Sequence, residues 1–550
     1  MIKMFKGVSN SCETALASAI SAEQTTIPLV TISGLPAAPN IATIGKDDNA
    51  EVVFYAGTSG TSLTSCIRGF GETIPKAWGA QESVARCYTL YDHNAFIENI
   101  LELQSNVRRY GVKFTGSVAA GERLYDAVGL TAAVGTDTDG AVNDFDAIMP
   151  WAGMRRCNTE IVDGERVPTA FEGEPGFDNV NKDVFVYCPL FYYYRSEDDS
   201  EHIVCMEKLA GFTAPKKFHR ADGSLRDFCF LPAYTMGIDA SGNPVSRPGY
   251  YPHLPSLTSA MNLCKSKHTA GTLDSDIWIE GMADDEIKNV LLDIEFATRD
   301  HQTVMQGASS MRYSSDKATA GGVNQFTLAA SVAVQYCVGQ TIAIGRTDKG
   351  QEVAMNATIT AIDTATGVIS FVPASSTDVT VEADNFISSR PWKSGVCDTV
   401  KTPSGSPVSN KNAKYPCVYR GIENPWGNQF RWRWDFLKND AQPYVLDDPK
   451  NYTGAVNDHY TALSYQVPIT NGYATEMGFD PAFQYARVTK AIGGGSTTYF
   501  ADYYYYAAGL RALLVGGSVA DGRSAGARCC HVSNSPSYAG WSIGAALSPA

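Results

Sequence analysis

A chain of 550 residues has room for three or four domain-sized units, which excludes a core too small to hold itself together. With 44% hydrophobic and 19% charged residues the composition excludes a disordered polymer. A formal net charge of −14, with no basic block anywhere, argues against a nucleic-acid partner or an anionic membrane surface, since both need clustered Lys and Arg.

The N-terminus lacks the charged region, sustained apolar run and cleavage site of a secretory signal, and no apolar stretch has the length of a bilayer span. Synthesis in a cytosol and no membrane insertion are therefore expected. The 13 Cys are scattered without CxxC pairs, which predicts reduced, mostly buried thiols. Cys529 and Cys530 are adjacent, and two side chains alternating on a strand is the preferred reading.

From Thr25 to Cys87 short runs rich in Val, Ile, Thr and aromatics (TTIPLVTI, EVVFYAG, TSLTSCIRGF, SVARCYTL) predict a small β domain, with Thr58, Ser59 and Gly60 as a hairpin turn. Asp92 offers an N-cap for a helix to Val107. Its apolar positions Phe96, Ile100, Leu103 and Val107 fit both a helix packed on its own domain and a coiled-coil seam. The seam predicts a homotrimer.

Residues 109–143, rich in Gly, Ala, Thr and Asp, read as a connector. A second composition opens at 144, with hairpins in KDVFVYCPLFYYYRSE to EHIVCMEK, around Asp198, Asp199 and Ser200, and at Ser241, Gly242 and Asn243. Two helices follow, SLTSAMNLCKSK with Leu257, Met261 and Cys264 on one side, and ADDEIKNVLLDIEFATRD with Ile287, Val290, Leu291 and Ile294 as its buried stripe. Residues 323–391 read as an inserted small β domain. Its AIGRTDKGQEVAMNA resembles TIGKDDNAEVVFYAG of the first domain.

The stretch RGIENPWGNQFRWRWDF, residues 420–436, reads as turn then strand, with Phe430, Trp432 and Trp434 alternating with Gln429, Arg431 and Arg433. One face is expected to be wholly aromatic. Sugar stacking and core packing are the two readings of Trp426, Trp432 and Trp434, and the regularity of the strand points to core. The run Tyr503 to Tyr506 must alternate faces, which makes its exposed members binding candidates.

At 419–428, YRGIENPWGN resembles the signature of bacteriophage tail fibre and receptor-binding proteins whose C-terminal region has a C-type-lectin-like fold related to formylglycine-generating enzymes. The resemblance extends to MPWAGMRRCN, LLDIEFATRD and the terminal LLVGGSVADGRSAGARCCHVSNSPSYAGWSIGAALS. The segments EVVFYAG, CIRGFGETIPKAWGA and YDHNAFIENI are similar to an attachment module of tail and baseplate proteins. It implies an α+β multidomain chain: a virion-attachment module with helix at 1–108, a connector, a C-type-lectin-like domain at 144–322 and 392–550, and the insertion. It implies a virion tail protein that adheres without catalysis to a host cell-surface glycan or protein, and that docks on other tail or baseplate proteins.

In the terminal stretch Gly516 and Gly517 match the family's glycine pair, 518–524 its polar loop, 525–531 a strand, 532–538 its serine-rich loop and 539–547 the final strand. The implied receptor contacts are Ser518, Asp521, Arg523, Ser524, His531, Ser533, Asn534, Ser535, Ser537, Tyr538 and Trp541, each with a solvated turn residue as its competing reading. Trp426, Asn428, Trp432, Trp434, Gly516 and Gly517 are expected to be structural. No cofactor and no metal are expected, because Glu423, Asn424 and Pro425 do not supply the roughly six to eight oxygens a calcium ion needs.

Two rival classes remain. A structural tail, baseplate or capsid-decorating component would lack receptor contact. A polysaccharide-degrading enzyme would need two converging carboxylates, for which Asp435, Asp458, Asp480 and Asp502 are available; no HExxH, GxSxG or P-loop offers another mechanism.

Overall fold

Short β-branched and aromatic runs cut by Gly, Pro and Asn turns produce a mostly β protein, 35% strand and 12% helix. The computed structural model describes residues 2–268, 276–312 and 316–550, the side chains of 101–106 excepted. The chain divides into two units, Met1–Arg108 and Arg109–Ala550. Among the described residues no helix is long and apolar enough to cross a membrane.

The first unit holds β1 (Glu13–Ala15), β2 (Ile27–Pro28), β3 (Asn40–Ile44), β4 (Glu51–Ser59), β5 (Ser62–Ile67), β6 (Ser83–Ala85) and α1 (Leu90–Asn106). The strands form one antiparallel sheet in the order β1-β6-β3-β4-β5-β2 over Leu16, Ile27, Ile44, Val53, Tyr55 and Val84. The β4–β5 hairpin closes with Ser59 opposite Ser62, and Gly60 supplies the left-handed φ of 57°. Glu51 is fully buried and gathers Arg68 Nε at 2.7 Å, Trp78 Nε1 at 2.8 Å and the Gly69 N–H at 3.0 Å.

The N-cap of α1 is Thr89, not Asp92. Thr89 Oγ1 accepts from the Asp92 N–H while the Asp92 carboxylate accepts from the Thr89 N–H, so Asp92 closes a capping box from the third position. Ala95 and Asn99 are buried, whereas Phe96 and Ile100 are exposed. Leu103 lies outside the described side chains.

The second unit opens with β7 (Arg109–Lys113), β8 (Glu122–Tyr125), β9 (Arg155–Val162), β10 (Glu165–Phe171), β11 (Phe185–Pro189), β12 (Tyr192–Arg195), β13 (Glu201–Cys205) and β14 (Phe228–Pro232). Residues 109–143, read as a connector, supply β7 and β8, which join the β12–β13 hairpin in one sheet, while β10-β9-β11-β14 forms another. The apolar run at 184–195 is thus two strands in two sheets. A short β15 (Gly237–Ile238) and β16 (Pro244–Val245) ladder, α2 (Leu257–Cys264), β17 (Ile277–Ile279) and α3 (Met282–Phe296) follow.

The expected insertion folds on its own core of Phe326, Ile342, Ile344, Ile359, Ile369, Phe371 and Ile387. It comprises β18 (Asp316–Lys317), β19 (Ala320–Gly322), β20 (Gln325–Thr327), α4 (Ala330–Ala333), β21 (Thr341–Gly345), β22 (Ala354–Asp363), β23 (Val368–Pro373) and β24 (Phe386–Ser389). Its sheet therefore begins before residue 323. The order β18-β24-β21-β22-β23-β20-β19 repeats that of the first unit, strand for strand and all antiparallel, with β19 added at one edge. The two segments that look alike in sequence sit at the matching β3–β4 and β21–β22 turns.

The remaining strands are β25 (Ser404–Gly405), β26 (Val418–Tyr419), β27 (Ile422–Glu423), β28 (Phe430–Asn439), β29 (Gln442–Leu446), β30 (Tyr460–Ala462), β31 (Gly472–Met477), β32 (Thr489–Ile492), β33 (Tyr503–Tyr506), β34 (Leu510–Gly516), β35 (Gly526–Val532), β36 (Ile543–Gly544) and β37 (Leu547–Pro549). A large sheet runs β30-β29-β28-β34-β35-β33-β31-β32, with β36 parallel to the start of β28. On one face Trp432, Leu514 and Cys529 pack with Leu257, Met261 and Cys264 of α2; on the other Phe436, Leu513, Val515 and Cys530 pack with Met282 of α3. Ile287, Val290, Leu291 and Ile294 carry α3 into a further core with Val112, Val186 and Val204.

Candidate functional site

The aromatic strand is buried on both faces. Trp432 is wholly buried and its Nε1 donates to the Pro255 carbonyl at 3.0 Å. On the opposite face Arg433 holds Asp285 at 2.6 Å and Glu280 at 3.0 Å, and Arg431 lies 3.3 Å from Glu280. The single aromatic face expected from alternation therefore has a buried, charged back, because α3 covers it. Trp434 departs from the core reading: it is half-buried and stands on a cleft.

The turn before the strand is structural. Trp426 is buried and donates to the Met305 carbonyl at 3.0 Å, and Asn428, at φ 60°, accepts the Trp392 N–H on Oδ1 at 2.6 Å. Glu423 is buried and accepts the N–H groups of Gly395 at 2.8 Å and Cys397 at 3.1 Å. Burial, with the Asp398 charge nearby, pushes its carboxyl up to about 7. Gly516 and Gly517 hold φ of 97° and 82°, and a Cβ on Gly517 would come within 2.5 Å of Ala525 Cβ.

Beneath the terminal loops lies a buried charge network on which the sequence reading placed no emphasis. Asp293 of α3 accepts from Arg528 Nη1 at 3.0 Å and is 2.9 Å from His301 Nε2 and 3.0 Å from His202 Nδ1. Asp199, in the β12–β13 turn, holds Arg195, His202 Nε2 at 3.1 Å and Arg487 at 3.4 Å. Burial alone would raise Asp293; Arg528, His202 and His301 more than offset it and hold the carboxyl well below its usual range. Asp199 follows the same balance against Arg195, His202 and Arg487. These pairs tie α3 and the β12–β13 turn to β35, the strand from which both loops spring.

The two loops leave β35 at opposite ends, Gly526 and Val532. In the first loop Ser518 is buried, and Asp521 accepts from the Ser518 N–H at 2.7 Å and the Tyr505 hydroxyl at 2.9 Å. Arg523 is ion-paired with Asp300 at 2.5 Å. Ser518, Asp521 and Arg523 thus spend their polar groups within the chain, while Ser524 stays half-buried. In the second loop Ser533, Asn534 and Ser535 are half-buried, and Ser537 and Tyr538 are exposed. The loop is held by the Ala512 N–H donating to the Asn534 carbonyl at 3.0 Å and the Thr258 N–H to the Pro536 carbonyl at 3.1 Å. Trp541 returns to pack with Val519 of the first loop, Arg390 lying 5.4 Å above its ring.

An aromatic ladder spans the gap between the loops. Ring centroids run Tyr473–Tyr503 4.9 Å, Tyr503–Tyr505 4.7 Å, Tyr505–His531 4.9 Å and His531–Phe430 5.0 Å. Strand alternation sends Tyr504 the other way, into the core, where its hydroxyl donates to the Pro468 carbonyl at 3.0 Å. The Tyr473 hydroxyl lies 3.4 Å from Ser524 Oγ, and Ser533 Oγ 3.0 Å from His531 Nδ1. Burial pushes His531 down to about 4, so it is neutral near pH 7. The result is a half-buried Tyr/His strip with a Ser/Asn rim. Tyr473, far from the terminal segment in sequence, carried no local signal.

Cys529 and Cys530 point to opposite faces of β35, and burial pushes both thiols up, Cys530 to about 12. Among the described residues no group of His, Cys, Asp or Glu is arranged to hold a metal ion. No protein-family model and no curated protein matches this chain.

Proposed function

We propose that the chain is a receptor-binding adhesin of a bacteriophage tail, with a C-type-lectin-like fold over residues 144–322 and 392–550, an inserted β module, and a virion-attachment module at 1–108. The observation that carries this reading is the Tyr473–Tyr503–Tyr505–His531 ladder rimmed by Ser524, Ser533 and Asn534. Half-buried tyrosines give contact area at low entropic cost, and a short polar rim supplies adaptable hydrogen bonds to a host glycan or protein. The buried charges below keep that strip rigid, which reduces the ordering cost of binding. The exposed Phe96 and Ile100 on α1 support a homotrimer.

Exchange of residues 533–541 with the matching loop of a related phage tests the reading: host range should move with the loop. Unchanged host range would favour a structural tail component. Light scattering of the purified chain tests the trimer, and a monomeric mass would refute it.

A further inference from the structure

A cleft of about 390 Å³ opens between β17, the start of α3, β28 and the turn after β29, within the roughly 300–1,000 Å³ range of small-molecule sites. The strand register explains what lines it. Arg433 pairs with Leu513 and Leu437 with Ala512, so residues 434–436 bulge out of the β28–β34 ladder. Bulges re-aim side chains, and here Trp434 and Asp435 join Trp278 on the cleft wall.

Two polar groups in this wall lack partners among the described residues. Asp435 is 2% exposed; its Oδ2 accepts the Met282 N–H at 2.8 Å, while Oδ1 and the Trp278 indole N–H have no partner among the described residues. A buried polar atom left this way gains a hydrogen bond where a bound group reaches it. Gly281 lets this wall pack closely: a Cβ there would stand 2.7 Å from Asp435 Oδ2 and 2.9 Å from Trp434 Nε1, so the bare Cα seats both side chains. Its φ of −116° is open to any residue, so the bare Cα serves space and not backbone conformation.

The Lys and Arg side chains on the cleft are engaged within the chain, Lys217 with Asp284 at 2.5 Å, Lys216 with Asp447 at 3.2 Å, Arg220 with Glu165 at 2.5 Å, and Arg226 with the Ala550 carbonyl. That arrangement suits a neutral ring with one apolar face and several hydroxyls better than an anion. The cleft also continues. Trp278 and Pro449 line a second depression of about 340 Å³, which shares Thr258 and Asn262 with a third of about 500 Å³ that reaches Ser537 of the terminal loop.

We infer that this track is a binding groove for a linear neutral polysaccharide, with Trp434 and Asp435 forming its anchoring hexopyranose subsite. The inference rests on the adhesin reading and supplies its ligand class. The sugar ring stacks on Trp434, and its hydroxyls meet the Asp435 carboxyl and the Trp278 N–H.

Calorimetric titration of the full chain with cellohexaose, maltohexaose and chitohexaose tests it. At least one should bind saturably, and Trp434→Ala should weaken that binding by about tenfold or more, equivalent to about 1.4 kcal/mol. Trp434→Leu, which keeps an apolar side chain in the bulge but offers no ring to stack on, should give a similar loss and serves if Trp434→Ala does not fold. Binding of none of the three, or binding indifferent to both variants, overturns the groove. Host adsorption carried by the terminal loop would survive that result; a chain that binds hexasaccharide but adsorbs to no cell would instead sink the adhesin reading. Shortened sugars in the titrated sample would replace simple binding with hydrolysis.

Discussion

Strand β28 and the loop 533–541 sit side by side in the second unit yet obey opposite rules. In β28 nearly every side chain from Phe430 to Lys438 is buried, and its charges are matched by Asp285 and Glu280. In the loop the backbone is pinned at only a few points, and Ser537 and Tyr538 face solvent. The difference shows how an exposed loop tolerates change: variation in it touches few buried groups, because rigidity comes from the strand and the ion pairs behind it.

Trp432→Ala should cost about 3–5 kcal/mol by emptying a buried indole site and, in urea denaturation, show as a lower midpoint before any change in specificity. Asp293→Ala should cost about 3–5 kcal/mol as well, since it strands Arg528 without its buried partner. Both are read by the same denaturation curve, and a variant within about 0.5 kcal/mol of wild type would remove the network from its supporting role.

The pH profile sharpens the contrast. Asp199 and Asp293 are held below their usual range, so their stabilisation is present above the unfolded value near pH ~4 and is lost as pH falls further. Asp435 and Glu423 are raised to about 7, so their contribution is complete below about pH 4 and is lost as pH climbs toward 7. The melting temperature should therefore peak on the acid side of neutrality. Asp435→Asn should raise stability at pH 8 by roughly 2–4 kcal/mol and change little at pH 4, measured by thermal melts across pH. Smallest of all, Tyr538→Ala should stay within about 0.5 kcal/mol of wild type.

Much of the scaffold was legible because it rests on local pattern. The stripe of α3, the buried side of α2, the Tyr503–Tyr506 alternation and the turn glycines all follow from period and turn chemistry. The likeness of TIGKDDNAEVVFYAG and AIGRTDKGQEVAMNA marked a shared β topology, although a strand as short as β20 left no signal. Even these twins are stabilised differently: Glu51 is buried against Arg68 and Trp78, whereas Glu352 is an exposed turn acceptor for the Arg346 N–H at 2.9 Å. What stayed hidden was long-range. Asp293 meets Arg528 across 235 positions, Trp434 is turned outward by a bulge, and Tyr473 joins the ladder through sheet order alone.

The most direct test of the adhesin account compares adsorption to host cells of wild type, Tyr538→Ala and Asn534→Ala, each with its melting curve. The account predicts adsorption reduced at least about tenfold, a change of about 1.4 kcal/mol, in loop variants that melt like wild type. Full adsorption by both variants, or loss only where the protein also unfolds, would contradict it.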